Sequence, residues 1–251
     1  MTSKRRQRKK GPAPTKPSAL VDRRVRQARV TMEAPGLRVG DILAAVAVAE
    51  MPGVGEVRFY EALMPYVLLL DARRDEKRAV QLLARARKSR KRQSDGEIHI
   101  ADSTAIVDLQ HLGARACITA MEALEAFAAE ILPVDAVYTP KAGKRVGERL
   151  DREQILWLKT KERFGDALPA ALGLQSIKHS ALLWASFKRA LALRNAAIHP
   201  KPEHLHSFGK LDPGRLSSRI IAEEFVGVSE MAAAVMERYS PGYVTTADSR
   251  R

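Results

Sequence analysis

Residues 103–132 read STAIVDLQHLGARACITAMEALEAFAAEIL. The apolar positions Ile106, Leu109, Cys117, Met121, Leu124, Phe127, Ala128 and Ile131 keep one stripe along an α-helix. Glu122, Glu125 and Glu130 fall away from it. Asp102 carries the short acceptor side chain of an N-cap, and Pro133 cannot continue the helix. At 1.5 Å per residue this element is a rod of about 45 Å. A rod with one apolar stripe must be covered by other elements, and the rest of the chain is read as supplying helices for that purpose.

Downstream, a loop with Pro140, Gly143 and Gly147 leads to a second helix. Asp151-Arg152-Glu153 supplies its cap and first-turn acids, Ile155, Leu158, Phe164 and Leu168 its core face, and Gly173 its end. A third helix runs from near Ser180 to about His199, because Pro200 disfavours the helical region for the residue before it. Its stripe is predicted as Trp184, Phe187, Leu191, residue 194 or 195, and Ile198. Asp212-Pro213 opens a fourth stretch through Phe225, and Ser229–Tyr239 continues it or breaks from it at Gly227. Both tryptophans, Trp157 and Trp184, sit at helical spacing and are expected in the core.

Upstream, Gly40–Glu50 is rich in Ala and Val and ends at Pro52-Gly53. Glu56–Ala86 reads as one broken helix or two consecutive ones, kinked at Pro65. Ser94-Asp95-Gly96 marks a turn and a domain boundary. No strand pattern persists and no repeat is present. The expected fold is all-α. An antiparallel helical bundle over 96–245 follows a helical accessory region at 37–95, with a disordered basic tail at 1–36 and a short tail at 246–251.

The 251 residues carry a formal net charge of +14, unevenly placed. Residues 1–30 hold eleven Lys or Arg against one acid, Asp22. Residues 73–92 hold ten against Asp75 and Glu76, which leaves the remainder at −4. The first stretch mixes charge with Gly11, Pro12, Pro14 and Pro17 and has almost nothing to bury, so it is expected to be disordered. The second has apolar residues at helical spacing up to the Lys88–Arg92 run. Phosphate contact is the functional reading of both, with Lys4, Arg5, Arg6, Arg8, Lys9 and Lys10 in the tail. Arg87, Lys88, Arg90, Lys91 and Arg92 carry it in the second stretch. A solubilising tail and a solvated helix face are the bland alternatives.

The longest uninterrupted apolar run is Ala62–Leu70, far short of the roughly twenty residues of a membrane span. The first thirty residues lack a signal-like apolar core. The single cysteine, Cys117, excludes an internal disulfide and fits a reducing compartment, so a cytoplasmic protein is expected. His199, His204 and His206 cluster without completing a metal set, and Pro52-Gly53-Val54-Gly55 lacks the third glycine of a dinucleotide loop. No metal or other cofactor is expected.

The third helix ends in Arg194-Asn195-Ala196-Ala197-Ile198-His199. Asn195 is the only asparagine in the chain, and it stands one turn before His199. Arg194 and Asn195 fall on or beside the apolar stripe, so this trio either satisfies a buried network or lines a site. Arg194 paired with Glu122 or Glu125, with His199 as a helix-end cation, is the structural alternative.

That hexapeptide resembles the Arg-polar-x3-His motif of the HEPN superfamily of helical RNases and RNA-binding proteins. Residues 120–130, AMEALEAFAAE, are similar to the first core helix of many HEPN domains. The order of a long helix, a loop, a second helix and the motif at the end of a third also fits. The resemblance covers roughly residues 100–240 and neither the tail nor 37–95. Arg92 to His99 satisfies a looser form of the motif, but in a charged turn without an amphipathic helix.

The resemblance implies a HEPN-type bundle and a metal-independent endoribonuclease of toxin or antiviral-defence type. It also implies a homodimer, RNA as partner, and an inhibitory antitoxin partner. Arg194 would stabilise the phosphate charge, His199 would move protons, and Asn195 would orient His199 or bond phosphate. One helix supplies a single Arg and a single His, so paired acid and base need a second copy. The alternative is a non-catalytic nucleic-acid-binding or scaffold protein.

Overall fold

The computed structural model describes residues 27–29, 42–44, 46–52, 55–60, 63–92, 98–100, 102–141, 143, 145–199 and 215–244. These are predominantly helical, with three short antiparallel strand pairs. The chain divides into two units, Met1–Ala62 and Leu63–Arg251.

In the first unit, β1 (Gln27–Arg29) pairs with β2 (Ile42–Ala44), and β3 (Val46–Met51) with β4 (Gly55–Tyr60). The helical reading of Gly40–Glu50 and of Glu56–Tyr60 is therefore corrected. Val46-Ala47-Val48-Ala49 is small enough for either element, but alternating β-branched valines favour the pleat, and a Pro-Gly step joins the two runs. The register sets Met51 opposite Gly55.

The second unit opens with α1 (Met64–Lys88), where Pro65 occupies the first turn instead of a mid-helix kink. The pair β5 (Arg90–Arg92) and β6 (Ile98–Ile100) turns the chain into α2 (Ser103–Ile131). Asp75 meets Arg115 and Arg85 meets Asp102, so α1 and α2 run antiparallel. The boundary expected at residue 95 thus moves to Ala62: β5 and β6 pair between two packed helices of one unit, and the turn read at Ser94-Asp95-Gly96 lies outside the described residues. The basic segment belongs to this second unit.

The helix α2 is as its sequence implies. Asp102 accepts from the Ala105 N–H at 2.9 Å, and Leu109, Cys117, Met121, Leu124, Phe127 and Ala128 are buried. Ala116, Ala120 and Ala123 are buried as well, because α2 is covered from several sides. Of its glutamates only Glu122 is exposed. Glu125 accepts from the Thr160 hydroxyl, and Glu130 from the Tyr243 hydroxyl.

The expected second helix is segmented. It comprises α3 (Arg152–Leu156), α4 (Thr160–Glu162), a π-helical turn (Arg163–Ala167) and α5 (Leu168–Ala171). Ile155, Leu158, Phe164 and Leu168 are buried as expected. Pro169 accounts for the π turn, since it offers no N–H to the carbonyl four residues back, that of Gly165. The Ser176 hydroxyl donates to that carbonyl at 2.5 Å instead. The Tyr239 hydroxyl donates to the neighbouring Phe164 carbonyl and accepts from the Ile177 N–H at 3.2 Å.

A short 3-10 turn (Ile177–His179) leads into α6 (Ala181–Ile198), capped by the Ser180 side chain. Then come α7 (Leu216–Ile221) and α8 (Val228–Tyr239). Gly227, at φ 82°, breaks the chain between them. The N-terminus of α8 is capped from a distance. Buried Glu76 of α1 accepts from the Gly227 N–H at 2.5 Å and from the Ser229 N–H at 3.0 Å. A carboxylate is favoured there by the orphan N–H groups and the helix dipole.

Candidate functional site: the C-terminal end of the sixth helix

The core face of α6 is Phe187, Ala190 and Leu193, with Trp184 and Leu191 half-buried beside them. The last turn runs past this packing. Ile198 is exposed, Arg194 is half-buried, and Asn195 and His199 are exposed. Asn195 is therefore off the buried stripe, which corrects the expectation that it lies on the core edge. Asn195 and His199 are about 40° apart around the helix axis and face the same way. Arg194 is about 140° from His199, yet its flexible stem brings Nη1 to within 3.3 Å of Asn195 Oδ1, to which it donates. The helix closes with the His199 N–H donating to the Asn195 carbonyl at 2.9 Å, which fixes the spacing of the two side chains.

The alternative pairing of Arg194 with α2 is not what the structure holds. The Glu125 carboxylate takes the Thr160 hydroxyl, and Glu122 is exposed. A permanently charged guanidinium, a carboxamide and an imidazole are thus presented together at a helix end. That set can bind an anion, and it can move a proton while doing so.

The phosphate contacts expected elsewhere divide. Lys4, Arg5, Arg6, Arg8, Lys9 and Lys10 lie outside the described residues, as do His204 and His206. Arg87 pairs with Glu223, and Lys88 is exposed about 100° further round α1. Arg90, Lys91 and Arg92 form β5. Lys91 sits opposite His99, so the looser motif copy is a strand pair, without the helix that its counterpart has.

The sequence reading passed over a neater arrangement. Arg74, Lys77, Arg78, Gln81, Arg85 and Lys88 are all exposed and share the side of α1 opposite its buried positions. Their three- and four-residue spacing was visible in the sequence; their position beside α2 was not.

Other reactive groups are spent on structure. Burial pushes the Cys117 thiol up to about 12, which leaves it protonated and unreactive at neutral pH. The half-buried Arg163 guanidinium is pulled below its ordinary value by desolvation and donates to the Leu158 carbonyl. Trp184 stacks on Phe187, with Lys178 and Lys188 over its ring. Trp157 is 81% exposed, which corrects its expected place in the core. It falls on the C-cap of the one-turn helix α3, where Ile155 and Leu158 already fill the inward side.

Among the described residues no three His, Cys, Asp or Glu side chains converge as a metal set, and no helix is long and apolar enough to cross a membrane. Comparison with protein-family models, with curated proteins and with solved structures found no match.

Proposed function

We propose that this protein is a HEPN-like endoribonuclease that cleaves RNA by 2′-hydroxyl attack at a site built from Arg194, Asn195 and His199 of two copies. The observation that supports it is the hydrogen-bonded Arg194–Asn195 pair with an exposed His199 one turn on. Arg194 is bonded to Asn195 and not to a core acid. In the proposed reaction the 2′-oxygen bonds to the adjacent phosphorus and the 5′-oxygen leaves. One imidazole takes the hydroxyl proton, and the other supplies one to the leaving oxygen. The arginines stabilise the charge that builds on the phosphate oxygens.

The outward side of α6 supports pairing of two such sites. Ala181, Ala185 and Ala192 are exposed along the side of α6 that carries Asn195 and His199, and exposed Lys188 stands among them. The small residues leave room for a second copy on either side of the Lys188 side chain. By resemblance, the biological setting is a toxin or antiviral-defence system with an inhibitory partner.

The test is incubation of RNA with the full chain in the presence of EDTA, for wild type, His199→Ala and Arg194→Ala. Wild type is expected to release fragments ending in a 2′,3′-cyclic phosphate, and both variants are expected to lose this while keeping their circular dichroism. Intact RNA with wild type, or equal cleavage by the variants, overturns the proposal. A second reading, binding without cleavage, is favoured by the cationic side of α1; it predicts RNA retention with no products.

A further inference from the structure

The α1 and α2 helices leave between them an open groove of about 450 Å³. Arg78, Gln81 and Arg85 line one side, and Asp108 and His111 the other. Half-buried Leu82 and Leu112 add apolar surface along it. Arg78 and Arg85 are two turns apart on one side of α1, a separation of about 10 Å along the axis. Arg74, Lys77 and Lys88 extend the same exposed stripe in both directions.

The acids nearby restrain this charge only in part. Asp71 meets Arg74 at 3.1 Å, and Asp102, which also caps α2, meets Arg85 at 2.7 Å. Among the described residues no ion pair holds Lys77 or Arg78.

We infer that this groove seats one nucleotide of a single-stranded RNA. The Arg78 and Arg85 guanidinia take the phosphate oxygens, for which their planar donor forks are suited. Leu82 and Leu112 take the ribose and one base face. The remaining cations of the stripe meet the flanking phosphates. A duplex keeps its bases paired inside and cannot lower one into a groove between two helices. A lipid surface needs apolar residues beside the cations to enter the interface. Here the large exposed apolar residues of α1, Met64 and Val80, lie off the cationic stripe, and Leu69, Ala72, Ala79 and Leu83 are buried. The choice of RNA rests on the function proposed above; the groove itself does not depend on cleavage.

The test is fluorescence anisotropy of the full chain with a short 2′-O-methyl single strand, which cannot undergo 2′-hydroxyl attack. Arg78→Gln/Arg85→Gln is expected to weaken binding about tenfold and to reduce the slope of log K against log salt by about 0.7, for the one phosphate that the two arginines share. Lys141→Gln/Lys161→Gln, which removes equal charge from exposed positions elsewhere, is expected to change affinity less than about twofold. Asp108→Asn, which removes a carboxylate facing the phosphate, is expected to tighten binding about threefold.

Losses no greater than in the Lys141/Lys161 variant overturn the inference. So does equal or tighter binding of a duplex, or binding to phosphatidylserine vesicles in place of the strand. The groove is read from binding of the 2′-O-methyl strand, so loss of cleavage alone leaves it standing. Cleavage that survives while Arg78 and Arg85 prove irrelevant removes the groove alone.

Discussion

Replacing Tyr239 by Phe removes one oxygen and leaves the ring. That hydroxyl joins three elements: it sits on α8, donates to the Phe164 carbonyl of the π turn, and accepts from the Ile177 N–H just before α6. Phe164 and Ile177 are fully buried and Tyr239 nearly so, so water does not replace the lost partner. Each stranded buried polar group costs about 1–3 kcal/mol, which puts the substitution near 3 kcal/mol. For a unit of this size that is a fall in Tm of about 6–12 °C.

The same hydroxyl gives a second signature. Burial raises it to about 12, against about 10 for an unfolded tyrosine. The unfolded chain then loses its proton first, so the stability from this group is intact below pH 10 and falls between pH 10 and 12, by up to about 3 kcal/mol. Thermal and urea unfolding of wild type and Tyr239→Phe at neutral pH and across that alkaline window test both. A Tm within about 2 °C of wild type, or an alkaline loss that persists unchanged in the variant, refutes the reasoning.

Other outcomes follow from buried polar groups and from exposure. Glu76→Ala is expected to cost about 3 kcal/mol in urea unfolding, because the Gly227 and Ser229 N–H groups lose their acceptor. Arg115→Met strands Asp75, which is 1% exposed, and is expected to cost about 2–3 kcal/mol. Asp75→Leu/Arg115→Met is expected to cost less than Arg115→Met alone, which a double-mutant cycle checks. Trp157→Ala is expected to change stability by less than about 0.5 kcal/mol, whereas Trp184→Ala, which loses the stack on Phe187, should cost more than 1 kcal/mol by the same unfolding assay.

What was legible in the chain follows from how local each signal is. The ends of α2 and α6 are set by neighbours in sequence, Asp102 and Pro133 for one and Ser180 and Pro200 for the other, so both were readable. The pairing of β3 with β4 was not, because alternating Val and Ala suits helix and strand alike until a partner strand is present. The placement of α1 against α2 joins residues such as Asp75 and Arg115, 40 positions apart, and the cap that Glu76 gives to α8 joins residues 151 or more positions apart, both beyond any local pattern.

The candidate site shows the same division. The one-turn spacing of Asn195 and His199 is a property of the helix and was visible. Their exposure depends on where the packing of α6 stops, after Leu193, and only the fold shows that. The groove was hidden for a like reason, since its two walls come from different helices.

Mixing wild type with an inactive variant tests the central claim most directly. A pair of one wild-type and one His199→Ala copy holds a single imidazole, where the proposed reaction needs two. Adding an equal amount of His199→Ala to a fixed amount of wild type, under conditions that allow exchange, should therefore lower RNA cleavage to about half, and a large excess should abolish it. Cleavage by the wild type that stays unchanged at every ratio contradicts a centre shared between two copies.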